Sequence, residues 1–154
     1  MNRNVSQFVE RMGLLWEAEG LPRIAGRIYA LTLLSPEPCS LDEIADELGV
    51  SKASVSNDAR LLEKMEFVER VGRPGDRKSY YRIADDSMER TLATRVARLR
   101  LFQETIASGV SLPVDSEVRA RLKLHDKAYR TVIGALDEAL AAMRTNQGKR
   151  SRGA

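Results

Sequence analysis

One cysteine, one histidine and few aromatic rings narrow the chemistry open to this chain before any motif is read. Cys39 has no second thiol with which to close an internal disulfide, and one thiol does not build a structural zinc site. It reads instead as a small hydrophobe. His125, the sole histidine, stands beside Asp126 on an apolar helical stripe, a packing or interface position rather than that of a general base. The acid pairs Asp42-Glu43 and Asp46-Glu47 align at i, i+4, but no histidine or further carboxylate lies nearby, so they read as a solvated helix face. No glycine-rich phosphate loop, nucleophile elbow or metal motif occurs. No cofactor and no catalytic residue is therefore expected, and an enzyme is the least supported class. Aromatics are 5% of the chain, so Leu, Val, Ile and Ala must fill the interior. No run reaches the ~18 uncharged apolar residues of a membrane helix, and the start lacks the apolar stretch of a signal peptide, so the expected location is the cytoplasm. The net charge of +3 is too small to demand a polyanionic partner, which leaves the distribution of charge to carry that argument.

What is present is ample for a core: 43% apolar residues in 154, with 31% charged. Val5, Phe8, Val9, Met12, Leu15 and Trp16 recur at helical spacing, predicting a helix over about 4–18 that Gly20 ends. Pro22 suits the first position of a second helix running to about 34. Ser40-Leu41-Asp42-Glu43 is a capping box opening a short helix with Ile44, Ala45 and Leu48 inward, and Gly49 ends it. Ser51 caps a further helix whose inner face is Val55, Ala59, Leu62 and Met65. The period then changes. Residues 67–71 and 79–83 are rich in β-formers and flank the basic turn Gly72–Lys78, which predicts a hairpin. Leu92, Val96, Leu99, Phe102 and Ile106 mark a helix to about 108. Val118, Leu122, Tyr129, Val132, Ile133, Leu136, Leu140 and Met143 mark a last one over 115–143. The polar remainder, 146–154, reads as a disordered basic tail.

Short capped helix, Gly-Val-Ser turn, polar helix, basic hairpin: in that order these are a winged helix-turn-helix. The expected fold class is mainly α with a small β-hairpin wing. The expected divisions are an N-terminal dimerisation helix (1–20), a winged DNA-binding domain (21–84), C-terminal dimerisation helices (85–145) and the tail (146–154). A helix entering the ~12 Å major groove needs a slim, hydrogen-bonding face. Removing the inward residues leaves Ser51, Lys52, Ala53, Ser54, Ser56, Asn57 and Arg60, mostly short and polar. In the hairpin Arg70, Arg73, Arg77, Lys78 and Arg82 stand against the single acid Asp76, a pattern that suits phosphates or the minor groove. Asp76 is expected to orient the loop or Arg77. Because 40–83 is slightly acidic as a whole, the DNA reading expects the acids of the 41–48 helix to face away from the nucleic acid.

Leu21-Pro22-Arg23-Ile24-Ala25-Gly26-Arg27, Ser40-Leu41-Asp42-Glu43-Ile44-Ala45, Gly49-Val50-Ser51-Lys52-Ala53-Ser54-Val55-Ser56 and Pro74-Gly75-Asp76-Arg77-Lys78-Ser79-Tyr80-Tyr81 fall in this order. Together they resemble the GbsR-type branch of the MarR family of transcriptional regulators over about residues 5–110. The resemblance implies a dimeric winged-helix repressor or activator of double-stranded DNA. It implies recognition contacts from Ser51, Lys52, Ser54, Ser56, Asn57 and Arg60, and wing contacts from Arg73, Arg77 and Lys78. It also admits a small-molecule effector. A choline-like ligand would need an aromatic cage, for which Phe8, Trp16, Tyr29, Phe102 and Tyr129 are the available rings, although rings at helical spacing are ordinarily core.

The stripes outside the winged unit ask for more cover than it offers, which predicts a homodimer through Phe8, Met12, Trp16, Leu99, Phe102, Leu136 and Leu140. The competing reading is a winged helix that binds protein. Salt separates the two, because phosphate contacts weaken steeply with salt and an apolar interface does not.

Overall fold

The computed structural model describes residues 2–150, and their side chains as far as 145. Among the described residues, six helices and a three-stranded sheet divide into two compact units that part after Ser87. Mainly helical structure with a small antiparallel sheet is the expected class.

The first unit opens with α1 (Arg3–Ala18), capped by the Asn2 side chain, and α2 (Arg23–Leu34). Gly20 (φ 77°) turns the chain between them. There Leu21 N–H donates to Trp16 O and Gly20 N–H to Glu17 O, each at 3.0 Å, the bond pair that seals a helix end on a left-handed residue. Pro22 stands one residue before the helix it was expected to begin.

Two glycines let α1 and α2 cross closely. A β-carbon on Gly26 would lie 2.7 Å from Trp16 Cγ and 2.9 Å from Met12 O, and one on Gly13 would meet Arg27 Cγ at 2.8 Å. The α1 stripe consequently splits. Val9 and Trp16 are buried, and Val5 and Met12 pack partly buried against the same core. Phe8 (39%) and Leu15 (62%) stay exposed. Trp16, expected at a dimer interface, is instead core, its ring 5.5 Å from Tyr29 and 5.0 Å from Phe67.

β1 (Cys39–Ser40) leads into α3 (Leu41–Leu48). Ser40 Oγ accepts from Glu43 N–H at 3.2 Å while Glu43 Oε2 accepts from Ser40 N–H at 2.7 Å, the reciprocal box the spacing predicts. Gly49 (φ 64°) closes the helix, and α4 (Lys52–Lys64) starts on the Ser51 cap. Ile28, Ile44, Val55 and Leu62 are fully buried at the centre of this unit. After α4, Glu66 takes φ 63° and turns the chain into β2 (Val68–Val71), which pairs antiparallel with β3 (Tyr80–Ile83). The sheet order is β1-β3-β2, with Ser40 opposite Tyr80 and Val71 opposite Tyr80 on the other side.

The second unit is an antiparallel helix pair, α5 (Ser87–Gly109) and α6 (Ser116–Arg150). Val96, Ile133 and Leu140 form its buried centre, with Leu92, Leu99, Tyr129 and Leu136 packed partly buried around them. Arg100 Nη2 donates to both carboxylate oxygens of Asp137, and Arg144 pairs with Glu89 at 2.7 Å, fixing the antiparallel register. Two expectations change. Leu140 is buried inside the pair, and Val132, expected inside, is 49% exposed. The helix also runs to Arg150, past the boundary expected for the tail, of which 151–154 lie outside the described residues.

Candidate nucleic-acid interface

The face of α4 that the core leaves free presents Lys52, Ala53, Asn57 and Arg60 exposed, with Ser54 and Ser56 half-buried. Ser51 and Ser54 are partly spoken for. Ser51 Oγ accepts the Ser54 N–H at 3.1 Å and lies 2.9 Å from Ser54 Oγ. Of the short polar groups expected to read bases, Asn57 is thus the freest, because its amide has no hydrogen-bond partner among the described residues.

The hairpin loop is braced by its own side chains. Asp76 Oδ1 accepts Lys78 N–H at 2.9 Å and Oδ2 accepts the Tyr80 hydroxyl at 2.7 Å. Asp76 therefore orients the loop, as expected, but through Tyr80 and the backbone rather than through the Arg77 guanidinium. These bonds, the Tyr80 hydroxyl first, hold the Asp76 carboxyl below the usual aspartate range. Its stabilising contribution is then complete above that range and lost as pH falls through the depressed native value. Asp76→Asn should remove this share of acid sensitivity, flattening the fall of the unfolding midpoint below pH ~4. Superimposable wild-type and mutant profiles would show that the brace is not a stability element.

The five basic residues of the hairpin do not form one free patch. Arg73 lies over the Tyr80 ring, 4.2 Å from its centroid, and donates to Pro38 O at 3.1 Å. It braces the wing's base through these two contacts while its side chain stays exposed. Arg82 pairs with Glu69 on the neighbouring strand at 2.6 Å. Arg77 carries no ion pair among the described residues and stays exposed at the turn.

The acids of α3 do not all face away from this surface. Asp42 Oδ1 lies 2.6 Å from Lys52 Nζ at the start of α4, and Oδ2 lies 3.7 Å from Lys78 Nζ in the wing. The Lys52 hydrogen bond is the main reason the Asp42 carboxyl is held low. Sequence reasoning missed Asp42 and Tyr80. The available signal was the short strand at Cys39, since its pairing with β3 carries the start of α3 alongside the wing.

No cluster of three or more His, Cys, Asp or Glu suited to a metal occurs among the described residues. His125 is exposed on α6. Cys39 is half-buried rather than fully buried, with Sγ donating to Ser35 Oγ at 3.1 Å. Trp16 and Tyr29 do not form a cage, because they touch each other and Phe67 and leave no gap for a cation between them. No described helix is long and apolar enough to cross a membrane.

A capped two-helix motif with a slim polar face beside a braced basic hairpin defines a winged helix-turn-helix transcriptional regulator. Residues 19–79 match the model of the MarR family. Over 124 residues the chain is 29% identical to the HTH-type transcriptional regulator MmpR5 of Mycobacterium tuberculosis, covering 80% of this chain and 75% of that one. It is 26% identical over 133 residues to the putative HTH-type transcriptional regulator YvaV of Bacillus subtilis, covering 86% and 67%. A crystal structure of a transcriptional regulator superposes with TM-score 0.76 at 26% identity, covering 92% of this chain and 99% of that one.

Proposed function

We propose that the chain is a cytoplasmic, homodimeric repressor of the GbsR-type branch that binds a palindromic operator in double-stranded DNA and has no catalysis of its own. In this reading α4 enters the major groove with Lys52, Ala53, Asn57 and Arg60 foremost and Ser51, Ser54 and Ser56 behind them. Arg77 and Lys78 meet the flanking backbone. The observation that carries it is the pairing of an exposed, slender α4 face with a hairpin whose loop is held out by Asp76, leaving Arg77 unpaired. Arg77→Ala should weaken binding to every duplex alike and reduce the salt slope by about one unit, with base preference kept. Equal affinity of mutant and wild type at two salt concentrations would refute the wing contact.

Dimerisation is supported by apolar surface the isolated chain leaves open. The α5–α6 pair buries few side chains, while Leu101, Phe102, Leu112 and Leu124 on it, and Phe8 and Leu15 on α1, remain exposed. In the dimer reading these side chains are the surface that the partner covers. Of the residues expected at the interface, Phe102, 54% exposed, is the first to test, since Trp16 and Leu140 are buried and Met12, Leu99 and Leu136 are only partly available. Phe102→Glu should shift sedimentation at low micromolar concentration from dimer to monomer, because a charge is poorly tolerated in an apolar contact. A wild-type monomer that binds a palindrome tightly would overturn the dimer. A small-molecule effector fits the family resemblance, and no described side-chain cluster specifies its chemistry.

A further inference from the structure

We infer that Asp42 is an electrostatic brake on DNA binding, acting through Lys52 and Lys78, the two lysines of the proposed DNA contact. The inference rests on that reading of α4 and the wing. One carboxylate reaches both lysines: Oδ1 is 2.6 Å from Lys52 Nζ on α4 and Oδ2 is 3.7 Å from Lys78 Nζ in the hairpin. The fold puts it there. Ser40 pairs with Tyr80 across the β1–β3 ladder, and the Ser40–Glu43 capping box fixes the first turn of α3, which contains Asp42. Glu43 is committed to the Ser40 N–H at 2.7 Å, whereas Asp42 bonds no backbone group among the described residues and faces only the two ammonium groups.

Phosphate and Asp42 therefore compete for the same cations. A lysine already paired with a carboxylate brings no accompanying anion to be exchanged, and once phosphate has replaced Asp42 as its partner, a bare carboxylate remains beside the DNA backbone. The trio presents a net charge of about +1 to a phosphate pair instead of +2. Each phosphate neutralised contributes about −0.9 to the slope of log affinity against log salt. Losing Asp42's charge should steepen the slope by about that amount. The brake lowers attraction to any phosphate backbone and leaves the bonding groups of Asn57 and Arg60 untouched. Binding then depends more on base contacts than the count of basic residues suggests.

The test is fluorescence anisotropy of the full chain with a duplex of random sequence at about 0.05 M and about 0.2 M salt. Asp42→Asn, nearly isosteric and without charge, should bind several-fold tighter at the lower salt, with the advantage shrinking about threefold between the two. Asp42→Glu should retain wild-type behaviour. In a background carrying Lys52→Gln and Lys78→Gln, the gain from Asp42→Asn should shrink to the small part that the carboxylate's own repulsion of phosphate supplies. Unchanged or weaker binding by Asp42→Asn overturns the brake, and so does an undiminished gain in the lysine-free background, which would place the acid's effect directly on the DNA. A wild-type chain with no affinity for any duplex at the lower salt would instead bring down the regulator reading, and the brake with it. Wild-type binding that Asp42→Asn leaves unaltered removes the brake alone.

Discussion

Gly26→Ala is expected to lose about 1–2 kcal/mol of stability, although alanine is the better helix former. In an exposed helix interior the exchange would gain roughly 1 kcal/mol. Here the new methyl group would stand 2.7 Å from Trp16 Cγ, 2.8 Å from Trp16 Cβ and 2.9 Å from Met12 O. Neither the backbone carbonyl nor the base of a tryptophan ring packed on Tyr29 and Phe67 can yield cheaply. Relief requires α1 to move off α2, and overpacking of a close contact costs about 1–3 kcal/mol or more. Denaturant unfolding monitored by Trp16 fluorescence measures the loss. A mutant as stable as wild type would show that the helix crossing has slack, and would argue against Trp16 as a fixed part of the core.

Asn57→Ala should change which sequences the chain prefers more than it changes stability. Asn57 is exposed near the middle of α4, opposite the buried Val55, Ala59 and Leu62, so the fold loses no packing. Asparagine can make the paired donor–acceptor contact to an adenine edge, and such a contact discriminates by about 1–3 kcal/mol against the wrong base. Selection with the mutant should return a motif relaxed at one position per half-site, with the flanking positions intact. Ser54→Ala should have a smaller effect, because the Ser54 hydroxyl is engaged with Ser51 at 2.9 Å. An unaltered motif from Asn57→Ala would remove this residue from the reading face.

Local signals made much of this molecule legible in its sequence. The Ser40–Glu43 box, the left-handed Gly49, the Ser51 cap and the change of period at Phe67 each act over a few residues, and each stands where its spacing puts it. What stayed hidden depends on contacts between elements. An apolar stripe announces burial without naming the neighbour, so Trp16 and Leu140 looked like interface residues and are core. Gly13 and Gly26 carry no turn signal, since their role is a helix crossing that exists only in three dimensions. The count of basic residues in the hairpin was right, but their availability was not legible. It took the β1–β3 pairing and the Tyr80 ring to show Arg73 tied down and Asp42 drawn up against Lys78.

Selection from a random duplex pool, followed by a salt titration of the enriched site, tests the central claim most directly. A dimeric winged helix that reads sequence should enrich two inverted half-sites about one DNA turn apart. That site should be bound at least about a thousandfold more tightly than unselected DNA, with an affinity that falls steeply as salt rises. A pool that shows no enrichment after repeated rounds, from a chain whose association with its partners is indifferent to salt, would contradict the account and return the hairpin and α4 to a protein-binding role.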